Sequence, residues 1–223
     1  LGALILSAID HPQAGPEMHG AAAGFTQLLD PASAAVIIER QIRAPAVLGS
    51  TLDHLLSNLL ALTWKPTRDR WLSSRGDVLE PPDGQRDLVQ YVLVESNARV
   101  GDRLDLLAKL ALSKKGRAWI PGLLDAMIRS PKTTEEALQA AGSFLISDIK
   151  NGAQSDGTTR SWLTSIFGSE KLSDEARASL LSFYAQTVSE GIKGPLDPVQ
   201  LWKSSTAQSH PDMFGLLAGQ SDA

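Results

Sequence analysis

Apolar residues recur at intervals of three and four along most of the chain, which is the period of an amphipathic helix. The leucines between Leu52 and Leu62 and the apolar residues between Ala137 and Ile149 show this most clearly. Residues 88–94 are rich in β-branched side chains, but no nearby segment offers a strand that could pair with them. We therefore predict a buried helix at 88–94, with a strand as the alternative.

Capping residues mark two helix starts. Asp30 followed by Pro31 predicts a helix that runs to about Arg43, because aspartate caps the first free amides and proline suits the first turn. Ser173, with two acidic residues directly after it, predicts a second start. The acidic residues favour the positive end of the helix dipole.

The central part of the chain carries further boundary signals. Thr133 and Glu136 have the spacing of a capping box, in which each side chain satisfies the other residue's backbone amide. We expect Lys114–Gly116 to end a helix, since cations and glycine favour a helix C-terminus. We expect Pro121 to begin the next helix, and residues 75–84 (RGDVLEPPDG) to form a loop.

These elements predict an all-α fold, an irregular multi-helix bundle of about nine to eleven helices. Trp71, Trp119 and Trp162 lie 48 and 43 residues apart in similar local sequences. Repeats of the HEAT and armadillo type have periods of about 40–47 residues. HEAT-like helix-pair stacking is therefore an alternative to the irregular bundle.

We expect the chain to form a single helical domain over residues 1–223, a length that one compact domain accommodates. The alternative is a division into 1–75 and 85–223, because the segment between them contains paired prolines and two glycines. Such composition is typical of connections between folded parts.

The composition excludes several classes of protein. The chain has 21 lysines and arginines, 25 aspartates and glutamates, four histidines and no cysteine. Without cysteine there is no thiolate nucleophile, disulfide or zinc ribbon. Leu1–Ile9 is apolar but far shorter than the about 20 residues that span a bilayer. We interpret it as the first helix, with a targeting remnant as the alternative.

We expect a soluble protein of the cytoplasm, or one delivered into a host cytoplasm. The composition is rich in alanine and leucine and poor in lysine, which favours a bacterial source. The net charge of −4 argues against a nucleic-acid binder, whose affinity depends on neutralising phosphates.

Charge is nevertheless distributed unevenly. Residues 1–63 hold two basic and five acidic side chains, residues 64–132 hold thirteen and nine, and residues 133–223 hold six and eleven. The net charges are therefore −3, +4 and −5. The basic middle third is either balanced within the protein or available to an acidic partner.

No catalytic or cofactor-binding motif stands out. His11, His19, His54 and His210 include no pair at the i+3 or i+4 spacing of a helical zinc site. Neither a P-loop nor a dinucleotide-binding glycine motif occurs. We expect no metal and no cofactor, and the catalytic residues, if there are any, stay unknown.

One segment has the composition of a binding surface. Aromatic and guanidinium groups, the types enriched at interface hot spots, occur together within twelve residues. We name this segment the docking ridge; it comprises Trp64, Lys65, Arg68, Arg70, Trp71 and Arg75. The alternative is that the tryptophans belong to the core and the arginines are solvated.

Two functions follow as hypotheses. The first is a helical protein–protein interaction module, an adaptor, regulator or effector domain, whose partner has an acidic or mixed surface. The alternative is an enzyme or ligase-type domain with a site assembled from distant residues around the basic middle third. In that case Asp53, His54 and the arginines near Trp71 are the first residues to mutate, and whether the protein is an enzyme stays open.

Overall fold

The computed structural model describes residues 1–44, 47, 49–67, 78–152 and 157–198. These residues contain ten α-helices, which confirms the all-α prediction. The helices are Gly2–Ile9 (α1), Pro16–Phe25 (α2), Pro31–Ile42 (α3), Gly49–Thr63 (α4), Arg86–Val94 (α5), Val100–Leu112 (α6), Lys114–Arg129 (α7), Glu135–Lys150 (α8), Gly157–Phe167 (α9) and Asp174–Ser189 (α10). Short 3-10 turns occupy Thr26–Leu28 and Asp83–Gln85.

The predicted caps at Asp30 and Ser173 are confirmed. The Asp30 carboxylate accepts a hydrogen bond from the Ser33 amide at 3.0 Å, and the Ser173 hydroxyl accepts one from the Ala176 amide at 3.2 Å. Residues 88–94 are helical, as predicted, and lie within α5. The buried face of that helix explains its β-branched content.

The predicted capping box at Thr133 is wrong by one residue. Thr134 is the N-cap of α8, and its side chain accepts from the Ala137 amide at 3.3 Å. Thr133 instead points back toward the preceding helix and donates to the Ala126 carbonyl at 3.4 Å. Two adjacent threonines are equivalent in sequence, so only the tertiary contact of Thr133 distinguishes them.

The boundary between α6 and α7 also differs from the prediction. Lys114–Gly116 begin α7 rather than end α6, and Pro121 lies inside α7. The two helices are separated only by Ser113. A Cβ at Gly116 would meet the carbonyl oxygen of Leu110, so this glycine permits the sharp corner between two helices.

A short antiparallel ribbon corrects the predicted loop at 75–84. Val78–Glu80 (β2) pairs with Lys65–Thr67 (β1), with Pro66 opposite Leu79. Residues 68–77 lie outside the described residues. Each strand has only three residues, which is too short to give an alternating pattern in the sequence.

The chain divides into two compact units, Leu1–Leu123 and Leu124–Ala223, and the boundary falls within α7. The organisation proposed from the sequence, one domain over 1–223 or a division into 1–75 and 85–223, stays a prediction.

In the first unit, α3 packs against α4, and α1 and α2 pack together beside them. The contact of α1 is made by Ile5 and Ile9, which join Ala22 of α2 and Ile37 of α3 in one buried cluster. An ion pair at 2.6 Å between Asp10 and Arg40 ties the end of α1 to α3.

Arg103 is the most unusual buried residue of the first unit, since its side chain is wholly inaccessible to solvent. Its guanidinium donates to the backbone carbonyls of Leu93 at 3.0 Å, Ser96 at 2.6 Å and Ala98. Leu93 lies in the last turn of α5, where carbonyls have no partner within the helix. Arg103 therefore closes the connection between α5 and α6.

In the second unit, α8 and α10 run parallel and side by side. The Glu135 carboxylate accepts from the Ser173 amide at 3.1 Å at their N-terminal ends. Lys150 and Glu190 form an ion pair at 2.9 Å at their C-terminal ends. These pairs are 38 and 40 residues apart in sequence, so the register is nearly constant along both helices.

Contacts from α9 and the turn after it follow the same spacing. Trp162 of α9 donates to Asp125 of α7 at 3.4 Å, 37 residues away. Lys171, in the turn before α10, donates to the carbonyls of Ser130, Pro131 and Thr133, at separations of 41, 40 and 38 residues. These contacts within the second unit therefore join residues that are 37–41 positions apart in sequence.

Candidate functional site

The first residue of the predicted docking ridge lies in the interior. Trp64 is 3% exposed, and its indole nitrogen donates to the Gln85 side-chain oxygen at 3.0 Å. Gln85 in turn donates to the Thr63 hydroxyl at 2.9 Å. Trp64 therefore joins the end of α4 to the turn before α5.

The rest of the ridge is described only in part. Lys65 lies in β1, and its backbone pairs with Glu80. Arg68, Arg70, Trp71 and Arg75 lie outside the described residues. The docking ridge stays a prediction for these positions.

The histidines named as candidates for chemistry occupy different environments. His54 is exposed on α4, and its Nε2 is 3.1 Å from the amide nitrogen of Asn58, one turn further along. This pairing is a surface contact within one helix. The side chain of Asp53 lies outside the described side chains.

His19 is the buried histidine of α2, at 2% exposure. Burial lowers the pKa of its imidazole from 6.5, and the nearby Asp10 carboxylate partly opposes that shift. The Gln41 amide donates to the His19 carbonyl at 3.0 Å. Both His19 Nδ1 and Gln41 Oε1 are buried without a hydrogen-bond partner, so a buried polar pair stands between α2 and α3.

No group of three or more histidine or carboxylate side chains suitable for a metal ion occurs in the described part of the chain. A concave site formed by Asp102, Asp105 and Lys109 together with α4 residues encloses only about 60 Å³. Such a volume admits a water molecule or two but no organic substrate.

Exposed apolar side chains are the most distinctive surface feature. Eight large apolar residues are exposed among the described residues, and seven of them lie within the first 62. We name these seven the N-terminal apolar set: Leu1, Leu4, Met18, Phe25, Leu28, Val36 and Leu62. The eighth is Leu112, at the end of α6.

A groove adjoins part of this set. It encloses about 170 Å³ between the 3-10 turn at Thr26–Leu28 and helices α3 and α4. Leu62 lines it, and Phe25 and Leu28 stand at the turn beside it, half and 70% exposed. The lining side chains are Thr26, Gln27, Leu29, Ala34, Asn58, Ala61 and Leu62.

The lining carries no formal charge, and only Gln27 and Asn58 bring side-chain amides to its surface. The groove can therefore accept an apolar side chain and hydrogen-bond a neighbouring backbone. The one hydroxyl among the lining residues, that of Thr26, donates to the Ala23 carbonyl at 2.6 Å.

The sequence pattern did not identify this surface. Phe25 is the last residue of α2, and Leu28 and Leu29 follow it before α3, in a stretch without a clear period. Of these three residues, only Leu29 is partly buried. A usable signal was the lack of any charge between Glu17 and Asp30, which leaves this end of α2 unusually apolar.

No protein-family model matches the chain, and neither a curated protein nor a solved structure is detectably similar to it. Among the described residues, no helix combines the length and the apolar character needed to cross a bilayer.

Proposed function

We propose that the protein is a helical interaction module that binds a partner protein through the groove beside Leu62 and the apolar residues around it. The observation that carries this proposal is the concentration of exposed apolar side chains in the first 62 residues. The rest of the described surface exposes only Leu112 in this class. Contiguous exposed apolar patches mark binding sites in soluble proteins.

The groove favours a partner that inserts a side chain rather than one that lies flat. Phe25 and Leu28 stand at its edge, and burial of each such side chain contributes about 1.5–3 kcal/mol. Few residues carry most of the energy of an interface, and they sit where water is excluded. Gln27 and Asn58 supply the hydrogen-bonding groups that set orientation.

The docking ridge extends this proposal. The ridge begins two residues after Leu62 and adds Lys65, Arg68, Arg70 and Arg75. A partner that contacts both parts would combine apolar side chains with acidic or mixed polar groups. Charged contacts at the edge of an interface mainly affect the association rate and its salt dependence.

The sequence spacing of the contacts in the second unit supports a binding role. Contacts at a spacing of 37–41 residues are typical of repeat proteins, in which each helix pair contacts its neighbour. Such stacks present extended surfaces to partners. We therefore propose helix-pair stacking as the architecture of the second unit.

Affinity capture with matched variants tests the proposal. The tagged protein is incubated with a lysate of its source cells at low and high salt, and the retained proteins are identified by mass spectrometry. Leu28→Glu combined with Leu62→Glu introduces charge at the groove. Leu112→Glu is the matched control, because Leu62 and Leu112 are 41% and 42% exposed.

The expected result is one protein retained by the wild type and by Leu112→Glu but lost from the double variant, with all three melting at similar temperatures. Equal retention by the double variant would contradict binding at the groove. Weaker retention of the partner by the wild type at high salt than at low salt would support a contact with the docking ridge.

A further inference from the structure

Helices α8 and α10 are each 16 residues long, and their ends match at an offset of 39. Their N-caps, Thr134 and Ser173, match at this offset and make the same bond to the third amide that follows. The identical pairs are Glu136/Glu175, Ala137/Ala176, Ser143/Ser182 and Phe144/Phe183.

One face of α8 is covered by α10. A Cβ at Gly142 would lie 3.0 Å from the end of Leu180, so the two helices approach closely there. Leu145, one turn further along, is buried. At the offset of 39, the α10 residues that match Gly142 and Leu145 are Leu181 and Tyr184.

The matching residues of α10 are also buried, and a segment of irregular chain reaches one of them, Tyr184, whose ring also contacts Phe167 of α9. Leu181 and Tyr184 are 2% and 0% exposed. The chain reverses at Gly191, where φ is +83°, and the segment that follows returns over α10. We name Gly191–Asp197 the C-terminal strap.

Tyr184 fixes the strap by two hydrogen bonds. Its hydroxyl donates to the Leu196 carbonyl at 2.8 Å and accepts from the Leu196 amide at 2.9 Å. A Cβ at Gly194 would meet the Tyr184 hydroxyl, so glycine is required for this close approach. Within the described residues, the strap therefore contacts α10 at Tyr184, the residue that matches Leu145 of α8 at this offset.

We propose that the C-terminal strap is an end cap that blocks self-association of the helix stack. A stack of similar helices exposes an apolar face at each end unless a terminal element covers it. An uncovered end can bind another copy of the stack, and head-to-tail contacts of that kind form rings or open filaments. This proposal depends on the helix-pair stacking proposed above, but not on the groove.

Tyr184→Phe in the full chain tests the cap, because it keeps the ring and removes both bonds to Leu196. Tyr91→Phe is the matched control, since the hydroxyl of Tyr91 makes a long bond of 3.4 Å at the surface. Gly194→Ala is a second variant, which displaces the strap while the sequence of α10 stays intact. Hydrogen exchange of the Leu196 amide and the mass in solution by light scattering are measured.

In Tyr184→Phe and Gly194→Ala, the Leu196 amide is expected to exchange at least tenfold faster. The mass is expected to rise with concentration above that of the wild type at the same concentrations. Tyr91→Phe is expected to match the wild type in both measurements. An unchanged Leu196 exchange rate, or a released strap without any rise in mass, would overturn the proposal.

Capture of a partner by Tyr184→Phe separates this proposal from the proposed function. A variant that associates and still retains the partner supports both. A variant that associates when the wild type captures no partner supports the cap and counts against the groove.

Discussion

Arg103 and Arg177 occupy the same place in two helices: each is the fourth residue of its helix and donates to the backbone carbonyl five residues earlier. The acceptors, Ala98 and Leu172, are both buried. Arg177 also donates to the Ser169 carbonyl at 2.9 Å. One local arrangement thus closes the connections that precede α6 and α10.

Replacing Arg103 by methionine is expected to destabilise the protein by about 3 kcal/mol or more. The substitution leaves three buried carbonyls without their donor, and each unsatisfied group costs about 1–3 kcal/mol. Urea denaturation followed by circular dichroism measures the change. Arg177→Met is expected to cost less, because Arg177 retains some solvent access; equal stability of Arg103→Met and the wild type would rule out this role for Arg103.

Gly142→Leu is expected to destabilise the protein by about 1–3 kcal/mol through overpacking against α10. Since Leu180 is the residue that the new side chain meets, Leu180→Ala should cost less in this background than in the wild type. A double-mutant cycle measures that coupling, which for residues in contact is about 0.5–3 kcal/mol. Strict additivity would contradict the parallel packing of α8 and α10.

Trp64→Ala is expected to cost about 3–5 kcal/mol, as for other large buried aromatic residues. Trp64→Phe should cost less, because it keeps most of the buried area and loses only the bond to Gln85. Thermal melting distinguishes the two variants. If Trp64→Ala melts like the wild type, the buried position of Trp64 is refuted.

His19 is expected to make stability depend on pH. Burial lowers the pKa of His19 in the folded state below 6.5, the ordinary value that applies to the unfolded state. Between the folded-state pKa and 6.5, the unfolded state therefore binds the proton more readily than the folded state does. Stability is therefore complete above about pH 6.5 and falls as the pH drops through the folded pKa, by at most about 1.4 kcal/mol per pH unit for one proton.

Denaturant titrations from pH 7.5 to 5 check this slope. His19→Gln should remove the contribution of His19, whereas His54→Gln, at an exposed histidine, should retain it. A slope that is the same in His19→Gln and in the wild type would show that other groups cause it.

The sequence predicted the helices better than their ends. The caps at Asp30 and Ser173 were predictable because the interaction is local, within three residues. The prediction that Pro121 begins a helix was wrong. From sequence alone, a proline in the first turn of a helix cannot be distinguished from one in the second turn, because the distinction depends on where the preceding helix ends. The corner at Gly116 depends on the approach of Leu110, which is a tertiary contact.

The candidate site was less predictable. Trp64 was expected at a surface because tryptophan is common at interfaces, but its bond to Gln85 depends on a turn 21 residues away. Leu28 has the character of a core residue, and its exposure results from how α2, α3 and α4 pack. Apolar periodicity predicts which residues are buried within an element, but not which apolar residues a connection leaves exposed.

Hydrogen exchange of the protein with and without its captured partner tests the binding surface most directly. We predict that the partner slows exchange at residues 25–29 and 58–63, which surround the groove, while the face of α6 that carries Leu112 is unchanged. Protection confined to residues outside 25–29 and 58–63, with these two segments unaffected, would contradict binding at the groove.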